Sequence, residues 1–171
     1  MSAKYGVRLL VVGRLRETFW QSAQEEYKKR LTGYTSRLEI VEVADEPTPD
    51  GASLAQENQT REKEGERLLA RLSTTSRESG REYIIALDGQ GKAFTSESFA
   101  AHLLRQVSEE GVSGFTLIIG GSLGLSDAVR TRADLILSFG TFTYPHQLMR
   151  VILLEQIYRA FKIQHGQAYH K

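Results

Sequence analysis

The sequence predicts an α/β fold, a mainly parallel sheet with helices on both faces. Strand patterns and helix patterns alternate along nearly the whole chain, which is the order expected of parallel strands joined by crossover helices. Several strand patterns are uninterrupted apolar runs, such as VRLLVVG at residues 7–13 and FTLII at residues 115–119. Because these runs have no polar face, the strands are expected to be buried on both sides of the sheet.

The first half of the chain predicts two strands, each followed by a helix. After the strand at residues 7–13, Thr18 is expected to cap a helix that extends to Leu31, with apolar residues at helical spacing. Residues 38–43 alternate aliphatic side chains with glutamate, as in a strand exposed on one face. A loop with two prolines follows, and residues 53–72 have the pattern of a charged helix.

The second half of the chain is more apolar and predicts three further strands. These strands are expected at residues 83–87, 115–119 and 135–139. Three helices are expected to alternate with them: one capped by Thr95 or Ser96, a short one at residues 126–132, and a long one that Pro145 opens and that ends near residue 163.

Composition excludes several classes of protein. With 171 residues, 40% of them hydrophobic and 25% charged, the chain has the composition of one globular domain rather than of a disordered segment. The absence of cysteine excludes disulfides, thiolate metal sites and cysteine nucleophiles. No apolar run approaches the length of a membrane span. We therefore expect a soluble, cytoplasmic protein with no membrane contact.

The net charge of +1 conceals a basic N-terminal segment. Residues 1–39 carry eight lysines or arginines against four acidic residues, and residues 145–171 carry four bases against one acid. Such basic ends are compatible with one face that meets a polyanion, and equally with an ordinary solvated surface.

Three segments at strand ends are the candidates for a ligand site. Residues 88–92, 120–124 and 139–145 each follow a predicted strand, and ligands of parallel sheets bind beyond the carboxyl ends of strands. Two nucleotide motifs fail here: Gly91-Lys92 lacks the other residues of a phosphate loop, and the dinucleotide fingerprint breaks after Gly120. His165 and His170 have no carboxylate near them in the sequence, so no metal site is expected.

The long C-terminal helix has apolar residues on nearly all of its circumference. A helix of this kind is buried on more than one side. Its surplus apolar surface predicts either a partner subunit, with a symmetric homodimer as the default, or burial within the chain's own core.

A set of motifs spans nearly the whole second half of the chain. It consists of LD at 87–88 with GK at 91–92, IIGGSLGL at 118–125, LSF at 137–139, TYPHQ at 143–147, MRV at 149–151, EQIYRAFKI at 155–163 and AYHK at 168–171. With these motifs the chain resembles the bacterial 23S rRNA pseudouridine-N3 methyltransferases, S-adenosylmethionine-dependent enzymes of the SPOUT superfamily. The middle of the chain, about residues 44–60, matches this family least.

The resemblance implies a fold and a cofactor that the patterns alone do not. Residues 1–171 would form a single SPOUT methyltransferase domain with a C-terminal trefoil knot, working as a homodimer. The knotted loops of such enzymes hold S-adenosylmethionine. On this chain the corresponding residues are Leu87, Gly120, Phe139, Gly140, Thr141, Phe142, Thr143 and Tyr144.

The resemblance also implies the reaction, which is methyl transfer to N3 of a pseudouridine in 23S rRNA within the assembled 70S ribosome. His170 would contact the base with Tyr169 beside it, unless this tail is simply frayed. His146 is a further catalytic candidate, or else a structural histidine bonded to the preceding loop. Arg150 and Arg159 would bind phosphate or the cofactor carboxylate, although Arg159 can equally pair with Glu155.

Three alternatives remain open at this point. The chain could be a ribosome-associated RNA-binding protein that has lost catalysis, a SPOUT methyltransferase acting on tRNA, or an α/β enzyme with a small-molecule substrate. The intact glycine-rich and Thr-Tyr-Pro-His segments favour a methyltransferase over the other classes.

Overall fold

The computed structural model describes residues 4–73 and 80–169. Five strands and five helices alternate along these residues, as predicted. They are β1 (Gly6–Val12), α1 (Thr18–Leu31), β2 (Arg37–Val43), α2 (Leu54–Ser73), β3 (Arg81–Ala93), α3 (Ser96–Glu110), β4 (Val112–Ile119), α4 (Asp127–Arg132), β5 (Leu135–Ser138) and α5 (His146–Gln164).

The five strands form one sheet in the order β2-β1-β4-β3-β5, and every neighbouring pair is parallel. The predicted parallel sheet is therefore confirmed. Since all strands run the same way, the segments that follow β1, β3, β4 and β5 leave from one edge of the sheet. This edge is where ligands of parallel sheets bind.

The sheet is buried on both faces, as the apolar runs predicted. Helices α1, α3 and α5 contribute to the core on one face, and α2 and α4 contribute to the core on the other. In β1, Val7, Leu9 and Val11 belong to the first core, whereas Leu10 and Val12 belong to the second. Successive side chains of a strand point to opposite faces, so a central strand presents apolar residues to both cores.

Two local predictions need correction. Thr18 is the first residue of α1 rather than its cap, because the extended backbone of Glu17 occupies the N-cap position without a side-chain hydrogen bond. The strand predicted at 83–87 continues to Ala93, and its register with β5 shifts between Leu87 and Lys92. The segment expected as a loop at 88–92 is thus an irregular part of β3.

The capping prediction for α3 is confirmed in favour of Thr95. Its hydroxyl accepts a hydrogen bond from the backbone N–H of Ser98, and the Ser98 hydroxyl accepts one from the Thr95 N–H. This reciprocal arrangement is a capping box, which satisfies two donors that the first turn of a helix leaves free.

The long helix α5 packs between α1 and α3 on its own sheet, with residues of its inner face almost fully buried. Leu148, Val151 and Ile152 remain only half-buried. Within residues 4–73 and 80–169, no helix is long and apolar enough to cross a membrane. The same ranges contain no cluster of three acidic or histidine side chains that could hold a metal ion.

A buried arginine joins α5 to three other elements. The side chain of Arg150 is 1% exposed, and one guanidinium nitrogen lies 2.6 Å from a carboxylate oxygen of Glu42 and 3.2 Å from the amide oxygen of Gln24. The other terminal nitrogen donates to the backbone carbonyl of Gly13 at 3.1 Å. Arg150 therefore holds the end of β1, the end of β2 and helix α1 against the start of α5.

Replacing this guanidinium is expected to destabilise the fold. Arg150→Met leaves the Glu42 carboxylate and the Gly13 carbonyl without their donor, at a cost of about 3 kcal/mol in free energy of unfolding. Urea denaturation measures it. Lys29→Met, on the exposed side of α1, is the control and is expected to change stability by less than about 0.5 kcal/mol. Equal stability of the two variants would contradict this account of Arg150.

Candidate functional site

A cavity of about 390 Å³ opens at the carboxyl edge of the sheet, between the irregular part of β3 and the segments that follow β4 and β5. Seven of the eight residues predicted to hold the cofactor line it, and Thr141 is the one that does not. The seven are Leu87, Gly120, Phe139, Gly140, Phe142, Thr143 and Tyr144. The fold thus brings together residues that are far apart in the sequence. They meet at the carboxyl ends of the strands, where a ligand site was predicted.

The glycine-rich segment 120–124 forms a tight turn that presents backbone to the cavity. The N–H of Gly124 donates to the carbonyl of Gly121 at 3.0 Å, and Gly124 has a φ of +83°, which favours glycine. A Cβ atom on Gly120 would lie 2.9 Å from the carbonyl of Gly124. Glycine is therefore required at position 120 by the turn itself.

A buried carboxylate that the sequence patterns did not predict lies behind this turn. Glu64 on α2 is 4% exposed. One of its oxygens accepts a hydrogen bond from the N–H of Glu46 at 2.9 Å, and the other has no hydrogen-bond partner in the described part of the chain. A Cβ on Gly121 would lie 2.8 Å from that second oxygen. Burial raises the pKa of Glu64 above its usual value.

A sequence signal for Glu64 did exist. Thr60, Glu64, Leu68 and Leu72 recur every four residues, and all four are buried. This spacing places them on one face of α2. Because many other charged residues surround Glu64 in the sequence, its position on this buried face is not apparent from composition.

Side-chain bonds also connect the segments on the β3 and β5 sides of the cavity. The hydroxyl of Ser138 lies 3.2 Å from the carbonyl oxygen of Gly89 and accepts a hydrogen bond from the N–H of Gly140 at 3.1 Å. Asp88 forms an ion pair with Arg130 at 2.7 Å, with the carboxylate largely buried. The Ser138 contacts hold the irregular end of β3 beside the loop that contains Gly140, whose φ of +101° favours glycine, and the ion pair joins that end to α4.

His146, the first residue of α5, also lines the cavity. Neither of its ring nitrogens is hydrogen-bonded to a residue in the described ranges, so the bond to the preceding loop expected of a structural histidine is not found there. Burial and the nearby Arg150 cation hold the pKa of His146 below its usual value, against smaller opposing effects of Asp45 and Glu17. The imidazole is thus neutral at pH 7 and able to accept a proton.

The two arginines predicted to bind substrate are both engaged within the chain. Arg150 is buried and forms the hydrogen bonds and the ion pair described above. Its role is therefore to support the structure around the site. Arg159 pairs with Glu155 at 2.6 Å, which is the alternative raised by the sequence. Its guanidinium also lies 4.8 Å from the centre of the Tyr169 ring.

The C-terminal tail folds back onto α5, away from the cavity of its own chain. The Tyr169 hydroxyl lies 3.4 Å from a Glu155 oxygen, and its ring lies 5.0 Å from that of Tyr158. Glu155 comes nine residues after His146 on α5, or about 14 Å along the helix axis. His170, the first candidate for contacting the base, lies outside the described residues.

Comparisons with known proteins agree with this fold. The family model described as "Predicted SPOUT methyltransferase" matches residues 6–170. A methylase family protein from Neisseria gonorrhoeae has a similar solved structure, with a TM-score of 0.51 at 15% sequence identity over 90% of this chain and 82% of the other. At that identity the likeness concerns the fold alone.

Close relatives cover nearly the full length of the chain. A protein of Symbiobacterium thermophilum named ribosomal RNA large subunit methyltransferase H is 50% identical over 96% of this chain and 99% of its own. A protein of Carboxydothermus hydrogenoformans with the same name is 49% identical over the same shares. By the family match over residues 6–170 and by these relatives, the chain belongs to the SPOUT methyltransferase family, in the group of the ribosomal RNA large subunit methyltransferases H.

Proposed function

We propose that this chain transfers a methyl group from S-adenosylmethionine to N3 of a pseudouridine in 23S rRNA, acting on the assembled 70S ribosome in the cytoplasm. The observation that carries the proposal is the 50% identity, over nearly the full length of both chains, to a ribosomal RNA large subunit methyltransferase. The terminal Tyr-His motif and the Thr-Tyr-Pro-His segment support the pseudouridine as the acceptor.

The test is methyl incorporation from labelled S-adenosylmethionine into ribosomes that lack the modification. Intact 70S particles, separated large subunits, free rRNA and tRNA are offered side by side. We expect label in the 70S sample, mapped to N3 of a large-subunit pseudouridine. Label in tRNA would show that the assignment of rRNA as the substrate is wrong. Bound cofactor without label in any RNA would favour the non-catalytic alternative.

The residues around the cavity suit the cofactor. A volume of about 390 Å³ lies within the usual range of small-molecule sites. Glycines on two sides of the cavity bring backbone close to it, and apolar side chains such as Leu87, Leu137 and Met149 suit an adenine ring and the methylenes of a methionine chain. We propose the eight predicted residues, from Leu87 to Tyr144, as its binding site.

For the reaction, bound S-adenosylmethionine supplies a methyl group on a positively charged sulfur. The chain's main contribution is to hold the acceptor base in line with that group, because positioning two reactants removes much of the barrier to their reaction. N3–H of the base is a weak acid and must lose its proton as N3 attacks. We propose that neutral His146 accepts this proton.

We infer that the active site is completed by a second copy of the chain. Tyr169 lies along α5 on the side away from the cavity of its own chain, about 14 Å or more along the axis from His146. The half-buried side chains Leu148, Val151 and Ile152 leave apolar surface on α5 for a partner. In such a homodimer, the Tyr169-His170 tail of one subunit contacts the base held at the other subunit's cavity.

A side chain added inside the cavity is expected to block the cofactor. Gly89 lines the cavity, and a Cβ there meets no atom within 4 Å, so Gly89→Leu introduces bulk without straining the fold. We expect the affinity for S-adenosylmethionine, measured by calorimetry, to fall about tenfold or more. Gly33→Leu is the matched control, since its Cβ also meets open space, away from the cavity. Equal affinities of the two variants would rule out this cavity as the cofactor-binding site.

Mixed dimers test the shared active site. At a cofactor concentration close to the wild-type Kd, Gly89→Leu leaves the cavity of one subunit largely empty, and deletion of residues 169–171 removes the tail of the other, so neither homodimer has more than residual activity. A mixed dimer keeps one intact combination, and an equal mixture is expected to recover about one quarter of the wild-type methyl transfer. Each variant assayed alone is the control. An inactive mixture whose mixed dimers are demonstrated by mass spectrometry would contradict the shared site.

The pH dependence of methyl transfer tests His146 as the base. Its pKa is lowered by burial and by Arg150, so kcat is expected to fall only when the pH drops below the usual histidine value of about 6.5. His146→Gln is expected to lower kcat by about 100-fold or more and to abolish this acid limb. Cofactor affinity, measured in parallel, separates lost proton transfer from lost binding. An acid limb that survives in His146→Gln and disappears in His170→Gln would assign the base to His170.

A further inference from the structure

We propose that the segment between β1 and α1, together with the first turn of α1, binds the substrate RNA beside the cavity. Arg14 and Arg16 bind phosphates there, and Phe19 stacks on an unpaired base. This inference rests on the proposed function, because it names the surface that holds the RNA of that reaction. Together, Arg14, Arg16 and Phe19 form the RNA-binding edge.

The segment is held firmly enough to present its arginines. Leu15 is 7% exposed, whereas Arg14 and Arg16 on either side of it are exposed. The amide of Gln21 donates to the carbonyl of Leu15 at 2.8 Å, and the buried Arg150 donates to the carbonyl of Gly13. Because Leu15 is anchored in the interior, both guanidinium groups extend outward from a fixed backbone.

Both arginines are available for a polyanion. Neither forms an ion pair with any residue of the described ranges, in contrast to the arginines of α1, α4 and α5 that have a carboxylate within 4 Å, such as Arg30 and Arg130. Glu17 lies within the same segment and weakens its positive charge. Two other acids lie near it: Glu42 is already paired with Arg150, whereas Asp45 is exposed and close enough to His146 to act on its pKa. The segment itself carries two exposed cations against one acid.

An exposed aromatic side chain favours RNA over a simple anion as the ligand. The Phe19 side chain is 61% exposed, and its ring lies 4.8 Å from that of Trp20. A large aromatic group next to free cations is the arrangement by which proteins bind single-stranded nucleic acid: the cations contact phosphates while a base stacks on the ring. Unpaired bases of an rRNA loop fit this surface.

The RNA-binding edge is continuous with the cavity. β1 lies next to β4 in the parallel sheet, so its carboxyl end is at the same edge as the glycine-rich turn. A Cβ on Gly13 would lie 3.6 Å from Nε2 of His146, which lines the cavity. RNA bound at Arg14 and Arg16 is thus within reach of the proposed base and of the methyl group.

The charge contribution is tested with Arg14→Gln/Arg16→Gln. We expect KM for 70S ribosomes to rise about tenfold, with kcat at saturating ribosomes and cofactor affinity unchanged. The slope of log KM against log salt concentration is expected to fall by about 1.4, the value for two phosphates of a single strand. Lys4→Gln/Arg37→Gln removes the same charge from exposed positions at the opposite edge of the sheet and is the control. Equal effects of the two double variants would overturn the proposal.

The aromatic contribution is tested with Phe19→Ser. Loss of one stacked base is expected to raise KM for ribosomes about tenfold. Leu54→Ser, at an equally exposed first-turn position of α2, is the control and is expected to leave KM unchanged. If Phe19→Ser instead shifts the sedimentation of the protein from dimer to monomer, Phe19 is a subunit contact and its assignment to RNA is wrong.

Co-sedimentation with 70S ribosomes separates this inference from the proposed function. The assay measures binding without methyl transfer. Weaker binding by Arg14→Gln/Arg16→Gln supports the RNA-binding edge even if no methyl transfer is detected. If this variant binds ribosomes as well as the wild type does, and the wild type methylates rRNA, the assignment of the RNA-binding edge is wrong. The proposed function then still holds.

Discussion

The guanidinium of Arg150 lies where the first turn of α5 meets the ends of β1 and β2, and the arrangement of the candidate site depends on it. By binding the Gly13 carbonyl and the Glu42 carboxylate, it fixes the start of α5 against the carboxyl edge of the sheet. His146 is thereby held between the cavity and the segment that bears Arg14 and Arg16. The same cation contributes to keeping the imidazole neutral. One buried charge thus fixes the position of His146 and adds to the effect of burial on its pKa.

The cavity beside it is built from backbone more than from side chains. Gly120 and Gly121 have no room for a Cβ, the first because of the Gly124 carbonyl and the second because of the Glu64 carboxylate. A buried carboxylate with one oxygen lacking a hydrogen-bond partner in the described ranges is costly to the folded state. This carboxylate packs directly behind the turn, in the space that the missing side chain of Gly121 leaves.

Within one chain, the cavity and Tyr169 lie apart, although the proposed reaction needs them close together. The cavity lies at the start of α5, whereas Tyr169 packs near the middle of that helix through contacts with Glu155, Tyr158 and Arg159. A rigid helix prevents the two regions from meeting within one subunit. A second copy removes this obstacle, and the half-buried apolar side chains of α5 offer it a surface. The proposed homodimer rests on this separation.

Local patterns determined the secondary structure and the parallel sheet, because periodicity and apolar runs depend only on neighbours in the sequence. The doubly buried β1 and the loops after β4 and β5 were predictable for that reason, and so was the place of the cavity, whereas the loop expected at 88–92 proved to be part of β3. The trefoil knot implied by the family resemblance stays a prediction. The tertiary structure alone decided the environments of Arg150 and Glu64, since whether a charged side chain faces solvent or a buried partner depends on elements far away in the sequence. Arg150 meets Gly13 across 137 residues, and no local pattern encodes a contact of that range.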